Sequence, residues 1–161
     1  MSRLPVGHLD TETCKVLDIV HDSVVDGEGL RTVIFFAGCP HRCDGCHNPY
    51  SWNMDNGSDM TVDELFEETF NPLTNITFSG GEPFAQARQI KPLAKRLKAS
   101  GRHIWIYSGY TLEQLRERND PDEIELLASC DVLVDGPFIL SERDLTLSFR
   151  GSRNQRIHFL T

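Results

Sequence analysis

The sequence predicts an α/β fold, a partial, open (β/α) barrel with a mostly parallel, curved sheet, in one domain covering residues 1–161. Three observations carry this expectation. Short apolar runs of strand length alternate with segments of helical period. The connections between successive runs are too long for hairpins, so right-handed parallel crossovers join them best. With 161 residues the chain is well short of the roughly 250 that a complete eight-unit barrel needs, and a barrel of this length stays open.

Residues 14–20 alternate loosely and read as a first strand, followed by the turn-rich stretch 21–29. Residues 32–37, Thr-Val-Ile-Phe-Phe-Ala, form a continuous apolar run of the kind buried on both faces of a sheet. The polar stretch 51–60 reads as loop. Thr61 and Glu64 then make a capping box, and Val62, Leu65, Phe66 and Phe70 give the helix behind it, about residues 62–70, one apolar face. Residues 75–78 are the next strand. The following helix places Ile90, Leu93, Ala94 and Leu97 at i, i+3, i+4 and i+7; Pro92 is tolerable only near its first turn, and Gly101 is placed to stop it. After a strand at 103–107, Thr111 with Gln114 caps a short helix, and Asp120-Pro121 opens another that turns Ile124, Leu127 and Ala128 inward. Strands at 131–134 and 156–160 complete the sheet.

Residues suited to chemistry fall directly after these strands. They are the loop 38–49 with its cysteines, Gly80-Gly81-Glu82-Pro83, Tyr107-Ser108-Gly109-Tyr110, and Asp135-Gly136-Pro137-Phe138. Ligands of parallel α/β sheets bind outside the carboxyl ends of the strands, so four segments distant in sequence are expected to meet at one site. Cys39, Cys43 and Cys46 have C-x3-C-x2-C spacing, and three thiolates on one short loop are a metal site first. Structural zinc would need a fourth protein ligand, His41 or His47, whereas a cubane iron–sulfur cluster held by three cysteines leaves one iron open to a small molecule with an amine and a carboxylate. Cys14 and Cys130 are expected to be packed thiols. Five cysteines, three of them on one loop, make a poor disulfide framework and suit a reducing compartment.

The cysteine loop resembles that of the radical S-adenosylmethionine (SAM) enzymes, and Gly80-Gly81-Glu82-Pro83 resembles their strand-end motif. Val25-Asp26-Gly27-Glu28-Gly29-Leu30-Arg31 resembles the Asp-Gly-Pro-Gly-Ile-Arg segment of glycyl-radical activating enzymes, with Glu28 where proline is usual. Gly45, Tyr107-Ser108-Gly109-Tyr110, Val132-Leu133-Val134-Asp135-Gly136-Pro137-Phe138 and Phe149-Arg150-Gly151-Ser152-Arg153-Asn154-Gln155 resemble the activating proteins of anaerobic ribonucleoside-triphosphate reductases. That resemblance extends over about residues 14–160.

The resemblance implies a radical SAM barrel in which Cys39, Cys43 and Cys46 are the catalytic and metal-holding residues of a [4Fe–4S] cluster, with SAM completing the fourth iron. It implies reductive cleavage of SAM and removal of hydrogen from a glycine of the large reductase subunit, with electrons from flavodoxin or ferredoxin. SAM would meet Gly45, Cys46, His47, Gly80, Gly81, Glu82, Ser108 and Asp135, and the motif containing Glu82 would receive the methionine ammonium. Gly45 stands where an aromatic residue often touches adenine, which suggests backbone contact at 45–47, helped by Tyr50 or Trp52. Asp26 and Arg31 would lie on the rim facing the partner, and Arg150, Arg153 and Arg156 would dock an acidic or C-terminal segment.

A formal net charge of −8 argues against nucleic acid, which demands a basic stripe. No apolar run reaches membrane-spanning length and the first eight residues are unlike a signal peptide, so the expectation is a cytoplasmic protein; a homodimer is left open. Two other functions fit the cysteine loop. One is a radical SAM enzyme acting on a small molecule, such as a deazapurine synthase. The other is a non-enzymatic iron–sulfur or zinc redox sensor.

Overall fold

A computed structural model describes residues 12–46 and 49–161. Its strands are β1 (Thr13–Ser23), β2 (Arg31–Phe36), β3 (Ser58–Thr61), β4 (Asn75–Gly80), β5 (Ile104–Tyr107), β6 (Val132–Asp135) and β7 (Arg156–Phe159). They form one seven-stranded sheet in the order β3-β1-β2-β4-β5-β6-β7. The helices are α1 (Val62–Glu68), α2 (Ala87–Ala99), α3 (Leu112–Arg118) and α4 (Pro121–Ala128).

The four central strands, β2, β4, β5 and β6, run parallel. On the flanks β1 is antiparallel to β2 and β3, and β7 is antiparallel to β6. The fold is α/β as expected, but the sheet is mixed rather than mostly parallel. The reason lies in the connections: a parallel crossover needs a dozen or more residues and usually a helix. The stretch 24–30 between β1 and β2 is too short for that, and no α-helix lies between β6 and β7.

Alternation along the strands separates two faces. Ile34, Phe36, Ile76, Phe78, Ile104, Ile106 and Leu133 point to the helical side, where they pack with Leu65 of α1 and with Ile90, Leu93, Ala94 and Leu97 of α2. The Phe36 and Phe78 rings meet edge-on at 5.6 Å. Each large apolar side chain so buried stabilises the fold by about 1.5–3 kcal/mol. On the other face Trp105, Val132 and Val134 pack with Tyr107, Phe149 and Ile157. Among the described residues no helix is long and apolar enough to cross a membrane.

Several local expectations are corrected. The polar stretch 51–60 conceals β3, an edge strand paired only with β1. Helix α1 stops at Glu68, and Phe70 is 62% exposed. Pro92 falls in the second turn of α2, on an exposed face where water can serve the carbonyl that loses its bond. In α4 the buried residues are Glu123 and Leu126, while Ile124 and Ala128 are exposed and Leu127 is half-buried. The cause is Arg118, whose Nε and Nη2 donate to the two carboxylate oxygens of Glu123 at 2.9 and 3.0 Å, so that an acidic residue can face inward.

Arg31 is also corrected: it is 1% exposed and begins β2, at the end of the sheet opposite the cysteine loop. Its Nε donates to Thr77 Oγ1 at 2.8 Å, Nη1 to the Glu28 carbonyl at 2.6 Å, and Nη2 to the carbonyls of Ile76 and His103 at 2.9 and 3.1 Å. Burial pulls its pKa down to about 10, with the charges of Tyr107, Asp131 and Glu28 opposing, so it stays charged at neutral pH. Asp26 belongs to the same loop and accepts from Ser23 Oγ at 2.6 Å, while its carbonyl accepts from Thr77 Oγ1. Arg31 therefore pins the 24–30 loop to β4 and β5 and presents nothing to a partner. Replacing Arg31 with Met should strand buried carbonyl oxygens and destabilise the protein by about 3 kcal/mol or more, read from the midpoint of denaturant unfolding.

Candidate active site

The cysteine loop leaves the end of β2 already fixed. Ala37 N–H donates to the Lys15 carbonyl at 3.0 Å, Gly38 N–H to Ser51 at 2.7 Å and Cys39 N–H to Trp52 at 3.2 Å. Gln86, 3% exposed, clamps the base: its Nε2 donates to the carbonyls of Lys15 and Ala37 at 3.0 and 2.9 Å, and its Oε1 accepts from Lys15 N–H at 2.7 Å. Sequence reasoning missed Gln86, since a lone glutamine before a helix carries no signal. Cys46 N–H donates to the Cys43 carbonyl at 3.1 Å and closes the turn that brings the second and third cysteines together. All three loop thiols are half-buried. Burial pushes the Cys39 thiol above its ordinary pKa, against the backbone N–H groups of His41 and Arg42, which favour the thiolate.

The end of β4 lies directly against this loop. Gly81 N–H donates to the Phe36 carbonyl and Glu82 N–H to the Gly38 carbonyl, both at 2.8 Å. A Cβ on Gly80 would collide with the Phe36 backbone, and one on Gly81 with the Gly38 carbonyl, so only glycine permits this approach. Glu82 has no exposed surface. Its Oε1 accepts from His41 Nε2 at 2.7 Å and from Gly109 N–H at 2.7 Å; Oε2 accepts from Phe84 N–H at 3.1 Å; Ser108 Oγ lies within 3.0 Å of both oxygens. One carboxylate therefore joins the cysteine loop, the end of β4 and the loop after β5. It also caps the 3-10 turn Pro83–Gln86.

Of the other expected site residues, Gly45 lies beside Phe138 and Leu140. A shallow cavity of about 490 Å³ opens there, lined by Asp44, Phe138, Ile139, Leu140 and Ser141. His47 is outside the described residues. Tyr50 is 63% exposed, and the Trp52 ring carries the Arg42 guanidinium 5.6 Å from its centroid.

Asp135 has no exposed surface and accepts from Leu112 N–H at 2.7 Å, from Arg156 Nη2 at 2.7 Å and from Nε at 3.2 Å, with His158 Nε2 at 3.0 Å. Burial alone would raise its pKa, but Arg156, the Leu112 N–H and His158 outweigh it and hold the carboxyl below the ordinary range. Asp135 thus ties α3 and β7 to the end of β6. Arg156, itself exposed, is engaged with Asp135 and Glu113. Arg150 donates to the Gln155 carbonyl at 3.2 Å, and Arg153 is exposed.

Three half-buried free thiols on one loop fit the three protein corners of a cubane cluster. Zinc gathers four donors around one ion at about 2.0–2.3 Å. Of the two histidines a zinc site could draw on, His41 is hydrogen-bonded to Glu82, and His47 lies outside the described residues. A cubane instead spreads its thiolates over separate corners. Cys14 and Cys130 stand apart from the loop, fully buried in the core, with burial pushing Cys14 up to about 12 and Cys130 higher still. In the metal-free protein, alkylation followed by mass spectrometry should label Cys39, Cys43 and Cys46 readily and reach Cys14 and Cys130 only on unfolding.

The chain matches the family model described as a 4Fe-4S single cluster domain over residues 25–158. It is 35% identical over 147 residues to the anaerobic ribonucleoside-triphosphate reductase-activating protein of Haemophilus influenzae, covering 84% of this chain and 91% of that protein. It is 34% identical over 143 residues to the protein of that name from Enterobacteria phage T4, covering 83% and 86%. Among solved structures, that of QueE from Escherichia coli superposes with a TM-score of 0.55 at 16% identity, over 68% of this chain and 58% of QueE, and so shares the fold. With the cysteine loop seated on the Gly-Gly-Glu strand end, and with identity at this level along most of its length, this chain belongs to the family of anaerobic ribonucleoside-triphosphate reductase-activating proteins.

Proposed function

We propose that this protein uses a [4Fe–4S] cluster and SAM to form a glycyl radical on an anaerobic ribonucleoside-triphosphate reductase. One observation carries the reading: the cysteine loop, Gly80-Gly81-Glu82 and Ser108-Gly109 converge at the carboxyl ends of parallel strands, in a chain of this family. Cys39, Cys43 and Cys46 would hold three irons and leave the fourth for the amino and carboxylate groups of SAM. Held by these residues, the cluster and SAM would supply one-electron reductive chemistry ending in 5′-deoxyadenosine, methionine and a glycine radical on the partner, the electron coming from an external donor.

The rest is positioning by the chain. Gln86 and the β1 backbone hold the base of the cysteine loop, and the glycines at 80 and 81 bring the strand end up to it. Gly45, Cys46, His47, Gly80, Gly81, Glu82 and Ser108 would border SAM, with Asp135, joined to α3 and β7, at the end of the neighbouring strand β6. The electron would come from flavodoxin or ferredoxin, in a cytoplasmic setting. Glycine suits the reaction because no side chain blocks the approach and the Cα radical is delocalised between its flanking amides.

The cavity beside Gly45 is shallow and mostly apolar. Such a surface suits a peptide segment of a large partner better than an enclosed polar metabolite. The sheet, read as an open barrel, would admit that segment from the side. This favours the protein substrate over the small-molecule alternative.

Anaerobic reconstitution with iron and sulfide, then reduction with SAM and the reductase, should yield 5′-deoxyadenosine together with a glycyl doublet in the electron paramagnetic resonance spectrum. Deoxyadenosine without the doublet would return the substrate to question, and zinc without a cluster would remove the protein from the enzymes. Alanine at Cys39, Cys43 or Cys46 should abolish SAM cleavage, whereas Cys14→Ala and Cys130→Ala should leave it largely intact.

A further inference from the structure

The sheet ends on two unlike strands. The outer strand β3 is polar, with Ser58 and Asp59 exposed and Asp59 paired with Lys15 at 2.7 Å. At the other end β7 carries Phe159, 64% exposed. Proteins commonly guard a sheet edge with charge, because its unpaired N–H and C=O groups are a template for another strand. Among the described residues no strand pairs with the outer edge of β7.

The ladder shows which groups that edge offers. Val134 turns its carbonyl to β5, where it accepts from Ser108 N–H at 2.9 Å, and Leu160 N–H donates to the Asp131 carbonyl at 2.8 Å. The backbone groups of successive strand residues point to opposite sides. Leu133 and Asp135 therefore face β7 and pair with His158 and Arg156, while Ile157 and Phe159, opposite Val134 and Val132, direct their N–H and C=O groups outward. Side chains alternate as well. Ile157 packs with Trp105, Val132 and Val134 on one face of the sheet. Leu160, on the other, lines a cavity of about 380 Å³ with Ile124, Leu127 and Ala128, the stripe of α4 that the inward turn of Glu123 leaves at the surface. An added strand would find two donors, two acceptors and apolar side chains on both faces.

Charge selects the occupant. Residues 143–161 carry four arginines and one aspartate in a chain of net charge −8. Arg156 is engaged with Asp135 and Glu113, and Arg150 with the Gln155 carbonyl. Arg143 and Arg153, brought together ahead of β7 by the bridge between Arg143 and Ser152, are exposed. A second copy of this chain would set like charge against like at this edge, whereas an acidic strand would not.

We infer that the outer edge of β7 docks an extended, acidic segment of the partner protein, which joins the seven-stranded sheet through backbone hydrogen bonds to Ile157 and Phe159 and meets Arg143 and Arg153 at its end. The inference rests on the reductase proposed above as that partner. It gives the reductase a hold on this chain separate from the glycine that reacts.

Hydrogen exchange tests the edge in the unaltered protein. Alone, the amides of Ile157 and Phe159 should exchange fast and those of His158 and Leu160 slowly. Adding the purified anaerobic ribonucleoside-triphosphate reductase should slow Ile157 and Phe159 by about tenfold or more. Two variants then isolate the backbone bond: both Phe159→Pro and Phe159→Val lose the ring, but only the proline loses the outward N–H. Affinity for the reductase should be about tenfold or more lower in Phe159→Pro than in Phe159→Val. Arg153→Glu should weaken binding and flatten its dependence on salt.

If the reductase binds while Ile157 and Phe159 keep the exchange rates of the free protein, the inference is overturned. Protection of the same two amides that grows with protein concentration in the absence of reductase overturns it as well, because the edge then belongs to a second copy. If the parent protein does not bind the reductase at all, the proposed partner falls and the inference falls with it.

Discussion

A carboxylate without exposed surface must either neutralise itself or gather donors from every direction, because desolvation costs an unpaired charge several kcal/mol. Glu82 gathers donors, and they come from the loop after β2, the turn after β4 and the loop after β5. No neighbouring side chain on its own turn could satisfy it. The geometry at the carboxyl ends of β2, β4 and β5 serves that need: the glycines at 80 and 81 let the backbones close up, and Gly109 leaves room for an imidazole.

The opposite end of the same strands solves the reverse problem. Arg31 is a buried cation served by carbonyls of three segments, where Glu82 is a buried anion served mainly by N–H and O–H donors. In each case an ionised side chain ties together backbone that the ladder hydrogen bonds of the sheet do not reach. Such groups contribute little to net stability compared with an apolar core. They do fix which loop lies against which strand, and for loops that must present ligands this is the more important property.

Much of this was legible in the sequence. The parallel centre of the sheet, the capping boxes at Thr61 and Thr111, the apolar stripe of α2 and the gathering of motifs at strand ends all follow from local pattern, and the packed state of Cys14 and Cys130 follows from their places in a strand and at a helix end. The failures have physical causes in common. β3 is polar because an edge strand buries little, so its alternation is hidden. The face of α4 departs from its apolar pattern because Arg118, on the preceding helix, makes it cheap to bury Glu123. Arg31 reads as a surface charge until the carbonyls that receive it are brought together by the fold. Glu82 reads as functional from its motif, but its contact with His41, 41 positions away, forms only in three dimensions.

The contact between His41 and Gly109 also constrains how such a chain can evolve. A ring lying where a Cβ would be leaves no room for a side chain at 109, and a side chain at 109 would expel the ring from 41. The two positions cannot drift separately, since any intermediate with both occupied loses the contact between His41 and Glu82. A lineage that abandons the histidine frees the glycine to change, and one that fills the glycine must first give up the ring at 41.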